Sequence, residues 1–319
     1  MAARAVESAP ALPDAAAPKV ISPISEPPKR PDKGRLRLLF PPFQLRNPVS
    51  AQPELGQLVE IVTTAARTAG LANTRLHATD TKADGSIVTA LDHEMQSLIS
   101  TALKASWPEY SFMGEEMEHD EQASIVDGKS RGFWALDPLD GTTNFAMGFP
   151  FYGVSLALVV DGEARLGVVL DPVRDECFSA IDGGGAFLNG EPMTTLGQEF
   201  ALRECVANVD YKRLVSRLAD RLVRYPPYRS QRNLGACVLE WCWLAAGRLQ
   251  LYLHGGQRMW DYAAGSLILK EAGGVFTTIP GNPLDCRKFT KRSVAAAVNT
   301  DLHAKWLGWI RENDEHWGK

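Results

Sequence analysis

The segment from Trp134 to Phe145 limits what this chain can fold into more than any other stretch of the sequence. Within it, Asp137 and Asp140 lie on either side of Pro138 and its neighbouring leucine. The apolar residues before the pair indicate a short strand, and the proline excludes a regular helix through it. The Gly-Thr-Thr that follows is typical of the start of a helical turn. The sequence therefore predicts two carboxylates at the end of a strand, beside free backbone N–H groups.

This pair of carboxylates fits a metal-assisted phosphate site. Oxygen ligands suit hard cations such as Mg²⁺, and N–H groups at the start of a helix suit a phosphate. A bare Asp-x-x-Asp also has an ordinary structural explanation, because Asp and Gly cluster in turns for conformational reasons. The Gly-Thr-Thr-Asn-Phe that follows Asp140 favours the functional interpretation.

Five blocks of residues occur in a fixed order along the chain. They are Lys82 to Asp92, Phe112 to Glu116, Trp134 to Phe145, a weaker glycine-rich block from Gly183 to Gly190, and Trp260 to Gly274. In this order they resemble the inositol monophosphatase family of Mg²⁺-dependent, lithium-sensitive phosphomonoesterases. The resemblance covers about residues 53 to 300, and the ordered combination is far more specific than any single block.

The resemblance implies a layered α/β (α+β) sandwich with alternating helix and sheet layers (αβαβα), like inositol monophosphatase and fructose-1,6-bisphosphatase. The residue pattern agrees with it. Apolar periodicity predicts helices over 53–70 and 92–106, a largely antiparallel sheet over 111–181, and alternating strands and helices beyond 200.

The domain organisation follows from composition and from the extent of the resemblance. Residues 1–49 are rich in Ala and Pro and show no sustained period, so we expect a disordered tail. We expect residues 50–319 to form one inositol monophosphatase-like domain, with halves at about 50–200 and 201–319.

Composition and charge exclude several classes of protein. A net charge of −4 gives no general attraction to nucleic acid or to anionic membranes. Five cysteines without a C-x-x-C pair argue against a disulfide framework and a structural zinc site. The sequence shows neither an apolar stretch approaching the ~20 residues that span a bilayer nor the apolar core of a secretory signal. We therefore expect a cytoplasmic protein whose partner is a small phosphate monoester, and the resemblance implies a homodimer.

The resemblance also implies a set of ligands for two Mg²⁺ ions. Glu115, Asp137 and the backbone carbonyl of Leu139 correspond to the ligands of the first ion. Asp137, Asp140 and Asp261 correspond to those of the second, and a weaker third ion shares Glu115 with waters. Because clustered carboxylates repel one another strongly, such a site makes electrostatic sense only with cations present.

The expected catalytic residues are Thr142, Asp92 and Glu115. The resemblance implies that Thr142 orients and helps to deprotonate the attacking water, while Asp92 accepts a hydrogen bond from its hydroxyl. It also implies that the backbone N–H groups of Gly141 and Thr142 bind phosphate oxygens. Taken alone, Asp92 is equally well explained as the N-cap of the helix that follows it.

On the substrate side, the resemblance implies contacts from Lys82, Ala236 and Asp140. The chain departs from the family pattern at His254, where inositol-hydrolysing relatives carry a Glu that contacts the ring hydroxyls. This change removes a carboxylate and adds potential positive charge. We hypothesise a substrate with more negative charge than inositol monophosphate, and drift in a flexible loop is the alternative.

The sequence therefore predicts a Mg²⁺-dependent phosphomonoesterase that uses metal-activated water. Its expected substrate is inositol monophosphate or a related polyol or sugar phosphate. Histidinol phosphate, other sugar phosphates and nucleotide 3′-phosphates are rival substrates within the same superfamily. A different class of function is that of a regulatory partner protein with secondary phosphatase activity, although the retention of every expected metal ligand argues against an inactive scaffold.

Overall fold

Two large β-sheets and one short two-stranded ribbon carry the fold in the computed structural model of this chain. The structure describes residues 53–72, 79–81, 87–128, 130–195, 197 and 199–314. The predicted tail at residues 1–49 and the candidate phosphate contact Lys82 lie outside these ranges. All of the described residues fall within one compact unit. The division of the domain into halves at about 50–200 and 201–319 stays a prediction.

The described ranges contain both helices and strands in alternation. The helices are α1 (Leu55–Thr68), α2 (Ala90–Ser106), α3 (His119–Asp127), α4 (Thr142–Ala146), α5 (Ser216–Arg224), α6 (Cys237–Ala245), α7 (Met259–Ala272) and α8 (Thr300–Asn313). The strands are β1 (Thr79–Thr81), β2 (Ile87–Thr89), β3 (Ser111–Gly114), β4 (Phe133–Asp140), β5 (Gly153–Val160), β6 (Glu163–Asp171), β7 (Glu176–Ile181), β8 (Gly185–Leu188), β9 (Glu191–Met193), β10 (Val206–Asp210), β11 (Ser230–Arg232), β12 (Leu251–Gln257), β13 (Val275–Thr277) and β14 (Arg292–Ala297). None of the helices in the described ranges is long and apolar enough to cross a bilayer.

The larger sheet has seven strands in chain order, from β3 to β9. Its neighbouring strands are antiparallel except for β3 and β4, which are parallel. Because β3 and β4 are parallel neighbours, their carboxyl ends lie at the same edge of the sheet. The largely antiparallel sheet expected from the sequence is therefore observed, with one parallel strand at its edge.

The smaller sheet has five strands in the order β11, β10, β12, β14 and β13. Strand β10 is parallel to both of its neighbours, and β14 is antiparallel to both of its own. After β10, a short 3-10 turn over Tyr211–Arg213 comes before helix α5, which begins at Ser216. Asp210 stabilises that turn by accepting a hydrogen bond from the N–H of Lys212 at 3.0 Å.

Helix and sheet layers alternate through the molecule. Helices α1 and α2 pack on one face of the larger sheet, where Leu58 and Met95 share a core with Leu156. Helices α6 and α7 pack on the opposite face and against the smaller sheet, in a second core that contains Trp241 and Ala157. Helix α8 covers the smaller sheet, with α5 beside it. This arrangement confirms the αβαβα sandwich expected from the sequence.

A tight contact between α6 and α7 gives a test of this packing. A Cβ atom added to Gly265 of α7 would lie 2.5 Å from the Cβ of Trp241, which is buried in α6. We expect Gly265→Ala to lower the free energy of unfolding by roughly 1–3 kcal/mol, because a well-packed core cannot absorb the extra methyl group. Gly308→Ala in α8 is the matched control, since a Cβ there meets nothing within 4 Å. Urea denaturation should show that the control is unchanged or stabilised by up to about 1 kcal/mol.

Candidate active site

A cleft of about 630 Å³ lies where the ends of β3 and β4, the start of α4 and the start of α7 meet. It brings together most of the residues that the sequence singled out. Those that line it are Glu115, Asp137, Leu139, Asp140, Gly141, Thr142, His254 and Asp261. Two further described candidates, Asp92 and Ala236, do not line it.

The larger sheet positions the first carboxylates of the cleft. Glu115 directly follows β3, and its N–H donates to the carbonyl of Leu136 at 3.1 Å, which continues the parallel pairing with β4. The pairing of β4 with β5 is irregular between Asp137 and Asp140. Pro138 accounts for this irregularity, because it has no N–H to donate to the neighbouring strand. Strand β4 therefore ends in a bulge that carries both aspartates.

Gly141 makes the turn from β4 into α4. Its φ of 83° lies in the left-handed region that favours glycine. A side chain there would also meet Ala236, because an added Cβ would lie 3.0 Å from the Cβ of that residue. The turn places the first N–H groups of α4 beside the aspartates, and N–H groups at a helix start have no partner within their own helix.

Asp92 is not the N-cap of α2, which is Thr89, but it is the third residue of the helix and completes the capping box. Its Oδ2 accepts hydrogen bonds from the N–H and the hydroxyl of Thr89, at 2.8 and 2.6 Å, which caps α2. Its Oδ1 lies 3.4 Å from the hydroxyl of Thr142, which also donates to the carbonyl of Leu139 at 2.9 Å. Asp92 is buried and does not line the cleft, whereas Thr142 does.

The acidic side chains of the cleft strongly perturb one another. Burial, followed by the charge of Glu115, raises the pKa of Asp137 well above its ordinary value. Burial and the charge of Asp261 raise the pKa of Asp140 in the same way. Burial and Glu115 raise the pKa of Asp261 to about 7. These shifts show that the cleft disfavours its own ionised carboxylates and would gain from bound positive charge.

Three of these carboxylates are fixed by backbone N–H groups. Asp137 accepts from Leu139 at 3.1 Å, Asp140 from Val238 at 2.7 Å, and Asp261 from Arg258 at 2.7 Å. Each bond uses one carboxylate oxygen and leaves the other as a possible metal ligand. In the described part of the chain, no three His, Cys, Asp or Glu side chains are already arranged to hold one metal ion. The donors are nevertheless all oxygen atoms, which is the chemistry that suits Mg²⁺.

His254 does not carry the positive charge that the sequence suggested. It is buried in the middle of β12, and burial lowers its pKa to about 4 although Asp210 is close by. Its Nδ1 lies 3.1 Å from the N–H of Gly256, which donates to it. A ring nitrogen that accepts a hydrogen bond has no proton of its own. His254 is therefore a neutral ring near pH 7, with its proton on Nε2.

At the start of α6, the residue that lines the cleft is one position beyond the expected substrate contact. Ala236 is fully buried and packs against Gly141, whereas Cys237 lines the cleft. The prediction of Ala236 as a direct substrate contact is therefore not supported by its position. Its burial between the α4 turn and the core gives it a packing role instead.

Sequence reasoning missed Glu240, a buried carboxylate that lines the cleft from α6. Its Oε1 accepts hydrogen bonds from the N–H groups of Leu234 and Gly235, at 3.1 and 3.0 Å. Asn144 holds the same turn from the other side by donating to the carbonyl of Leu234 at 2.8 Å. The sequence could have indicated this residue, because Glu240 is the one charged residue within the apolar sequence of α6. A buried carboxylate in such a position needs hydrogen-bond partners.

Comparisons with known proteins agree with this geometry. A family model described as the inositol monophosphatase family matches residues 52–314. Inositol monophosphatase 1 of Solanum lycopersicum is 37% identical to this chain over 228 residues, which make up 69% of this chain and 80% of that protein. The Nus factor SuhB of Vibrio cholerae is 32% identical over 241 residues, which make up 70% of this chain and 86% of that protein.

A solved structure has the same fold along nearly its whole length. It is the IMPase of Thermotoga maritima, which matches with a TM-score of 0.71 and 29% sequence identity and covers 83% of this chain and 99% of that one. The sequence blocks, the layered fold and the family match thus point to the same conclusion. The chain belongs to the inositol monophosphatase family and is a phosphoric monoester hydrolase.

Proposed function

We propose that the chain hydrolyses a small phosphorylated polyol or sugar, and that Mg²⁺ bound in the acidic cleft activates the attacking water. One observation carries this proposal. Glu115, Asp137, Asp140 and Asp261 come from three separate elements and meet at one cleft, beside the start of α4. Their mutual repulsion has no benefit for folding, and bound cations would relieve it.

The proposed ligands are those that the resemblance implies, and the side chains among them line the cleft. Glu115, Asp137 and the carbonyl of Leu139 would hold one ion, and Asp137, Asp140 and Asp261 would hold the other, with a weaker third ion at Glu115. When bound, Mg²⁺ lowers the pKa of its water and neutralises charge on the phosphoryl oxygens. Asp137, which is buried, would have the central role, because it belongs to both proposed sets of ligands.

Thr142 is the proposed positioning group for the water. Its hydroxyl is directed by the carbonyl of Leu139 and by Asp92, whose other oxygen is already fixed by the two bonds from Thr89. A hydroxyl held in this way can accept a hydrogen bond from a water at a defined place, and its own proton would pass to Asp92 as the water loses one. The N–H groups of Gly141 and Thr142 would bind the phosphate oxygens at the start of α4.

The identity of the substrate is the finer part of the proposal. The resemblance favours inositol monophosphate, and the replacement of an acidic residue by neutral His254 permits a more acidic substrate. The test is phosphate release with Mg²⁺ across inositol 1-phosphate, histidinol phosphate, fructose 1,6-bisphosphate and 3′-phosphoadenosine 5′-phosphate. A folded protein that releases phosphate from none of them would contradict the proposed function. The expected homodimer and cytoplasmic location stay predictions.

We expect Asp137→Asn to abolish Mg²⁺-dependent phosphate release. A neutral amide cannot replace the charge that two ions would share, so both ions should bind more weakly. Asp301→Asn, at an exposed position in α8, is the matched control and should retain full activity. Undiminished turnover by a folded Asp137→Asn protein would contradict the assignment of two ions.

We expect Thr142→Ala to lower kcat by about 10²–10⁴-fold, because general-base assistance is typically of that size. Mg²⁺ affinity should change little, since the hydroxyl is assigned to the water and not to the ions. Thr142→Ser should recover much of the activity, and Thr143→Ala, which removes the next hydroxyl along the chain, should have little effect. Calorimetry that showed lost Mg²⁺ affinity with kcat preserved would reassign Thr142 to a structural role.

We expect Mg²⁺ to stabilise the protein more at pH 7.5 than at pH 5. Burial raises the pKa of Asp261 from 3.8 to about 7 in the metal-free protein, and the pKa values of Asp137 and Asp140 are raised as well. The folded state therefore holds protons that the unfolded chain has lost, so metal-free stability falls as pH rises from about 4 to about 7. Mg²⁺ binds the ionised form and offsets this loss.

The measurement is the change in Tm on adding Mg²⁺ at each pH value. Asp137→Asn is the control, because it removes one of the repelling charges and should show a smaller dependence on both pH and Mg²⁺. An equal rise in Tm at the two pH values for the unaltered protein would argue against carboxylate-bound Mg²⁺.

A further inference from the structure

We propose that the cleft holds a second phosphate group of the substrate on a basic wall formed by Arg213, Arg258 and Lys291. The preferred substrate is then a small bisphosphate, with one phosphate at the carboxylates and the other at this wall. The inference rests on the proposed hydrolysis of a phosphate monoester at the acidic side of the cleft, and it adds the class of substrate.

Most of the acidic residues come from a different part of the fold than the basic ones. Glu115 directly follows β3, and Asp137 and Asp140 lie in the last part of β4, whereas Asp261 lies in the first turn of α7. The three basic residues come from the segments around the smaller sheet: the 3-10 turn after β10, the junction of β12 with α7, and the residue before β14. Because β10, β12 and β14 are neighbours in that sheet, these segments reach the cleft side by side.

Two glycines in β12 allow the wall to form. The pairing of β12 with β14 is irregular between His254 and Gln257. At Gly255, any Cβ atom would overlap the carbonyl oxygen of Arg213, so a side chain there would push the 3-10 turn away. At Gly256, a Cβ atom would lie 3.7 Å from the Cβ of Lys291. The backbone at these glycines therefore lies directly between Arg213 and Lys291.

The basic groups of the wall are not used in ion pairs with the described residues. Other cations on the described surface do have such partners: Arg248 pairs with Glu176 at 2.6 Å, and Arg174 pairs with Asp171 at 2.8 Å. Within the described ranges, no carboxylate lies within 4.0 Å of the charged groups of the wall. Cations that face a cleft without a protein partner are available to an anionic ligand.

Arg258 supports the wall in a second way. Its guanidinium lies over the ring of Phe289, with 5.8 Å to the ring centroid. This contact holds the planar group while leaving its N–H donors available. A guanidinium presents paired donors that match phosphate oxygens, which favours a phosphate as the second anion.

His254 makes the same region compatible with an anion. It lies beside the glycines, and it is neutral near pH 7 because its Nδ1 accepts from the N–H of Gly256 and its pKa is lowered to about 4. The Glu that the resemblance leads one to expect here would repel a second phosphate at this point. The replacement therefore removes a carboxylate of β12 that would oppose the basic wall, and Asp210, 3.6 Å from the His254 ring, is the carboxylate that lines the cleft beside it.

The test compares substrates that differ only in the second phosphate. The pairs are fructose 1,6-bisphosphate with fructose 1-phosphate, and inositol 1,4-bisphosphate with inositol 1-phosphate, each assayed with Mg²⁺ at several salt concentrations. We expect kcat/KM to favour the bisphosphate in each pair by tenfold or more, and the preference to weaken as salt rises. Arg213→Gln and Lys291→Gln should each reduce that ratio by about tenfold, mainly through KM, because a charged hydrogen bond is lost.

Lys212→Gln is the matched control. Lys212 is an exposed cation in the same 3-10 turn as Arg213, but it does not line the cleft. Its replacement changes net charge by the same amount and should leave both specificity constants unchanged. An equal fall in the ratio for Lys212→Gln and Arg213→Gln would show a general charge effect and would overturn the assignment of the wall.

The outcomes separate this inference from the proposed function. Turnover of monophosphates without any preference for bisphosphates, or a preference that both Arg213→Gln and Lys291→Gln leave intact, would overturn the basic wall while the proposed function stands. If no phosphate monoester were hydrolysed, the proposed function would fail. The basic wall could then still be tested by calorimetry, with Ca²⁺ in place of Mg²⁺, as a comparison of sugar phosphate affinities. Tighter binding of fructose 1,6-bisphosphate than of fructose 1-phosphate, lost in Arg213→Gln, would support the wall, and equal affinities would overturn it.

Discussion

The repulsion among buried carboxylates is the constraint on which the rest of this structure depends. Asp137, Asp140 and Asp261 lie close enough together that burial and neighbouring charge raise the pKa of each one. In the metal-free protein this arrangement opposes folding near neutral pH. The two hydrophobic cores on either side of the larger sheet must therefore hold β4 and α7 in place against it. The same repulsion gives the cleft its affinity for cations, so stability and function oppose each other here.

The layered fold and the acidic side of the cleft could be predicted because their signals are local in the sequence. Pro138 ends the regular pairing of β4, and the glycine that follows Asp140 opens α4, so the turn between the two elements is set by adjacent residues. The helices α1 and α2 follow from apolar periodicity alone. For Asp92, two local interpretations competed. The structure gives Thr89 as the N-cap of α2 and Asp92 as its partner in the capping box, while the other oxygen of Asp92 lies near the hydroxyl of Thr142.

The substrate side could not be predicted in the same way, because its properties arise from tertiary contacts. The charge of His254 depends on burial and on a backbone N–H two residues later, and no sequence motif records either. Ala236 and Cys237 differ by one position, which is enough to move a side chain from the cleft into the core. Arg213 and Lys291 are far apart in sequence and become neighbours of one strand only through the order of the smaller sheet.

The most direct test of the account is a crystal structure of the protein with Mn²⁺ and inorganic phosphate at pH 7.5, with anomalous scattering used to locate the metal. We predict two strong anomalous peaks, each within ligand distance of Asp137. One should also lie beside Glu115 and the carbonyl of Leu139, and the other beside Asp140 and Asp261. Phosphate oxygens should lie within hydrogen-bond distance of the first N–H groups of α4. Ordered Mn²⁺ at other residues, or none in the cleft at saturating concentration, would contradict the claim that these carboxylates form a metal-assisted phosphatase site.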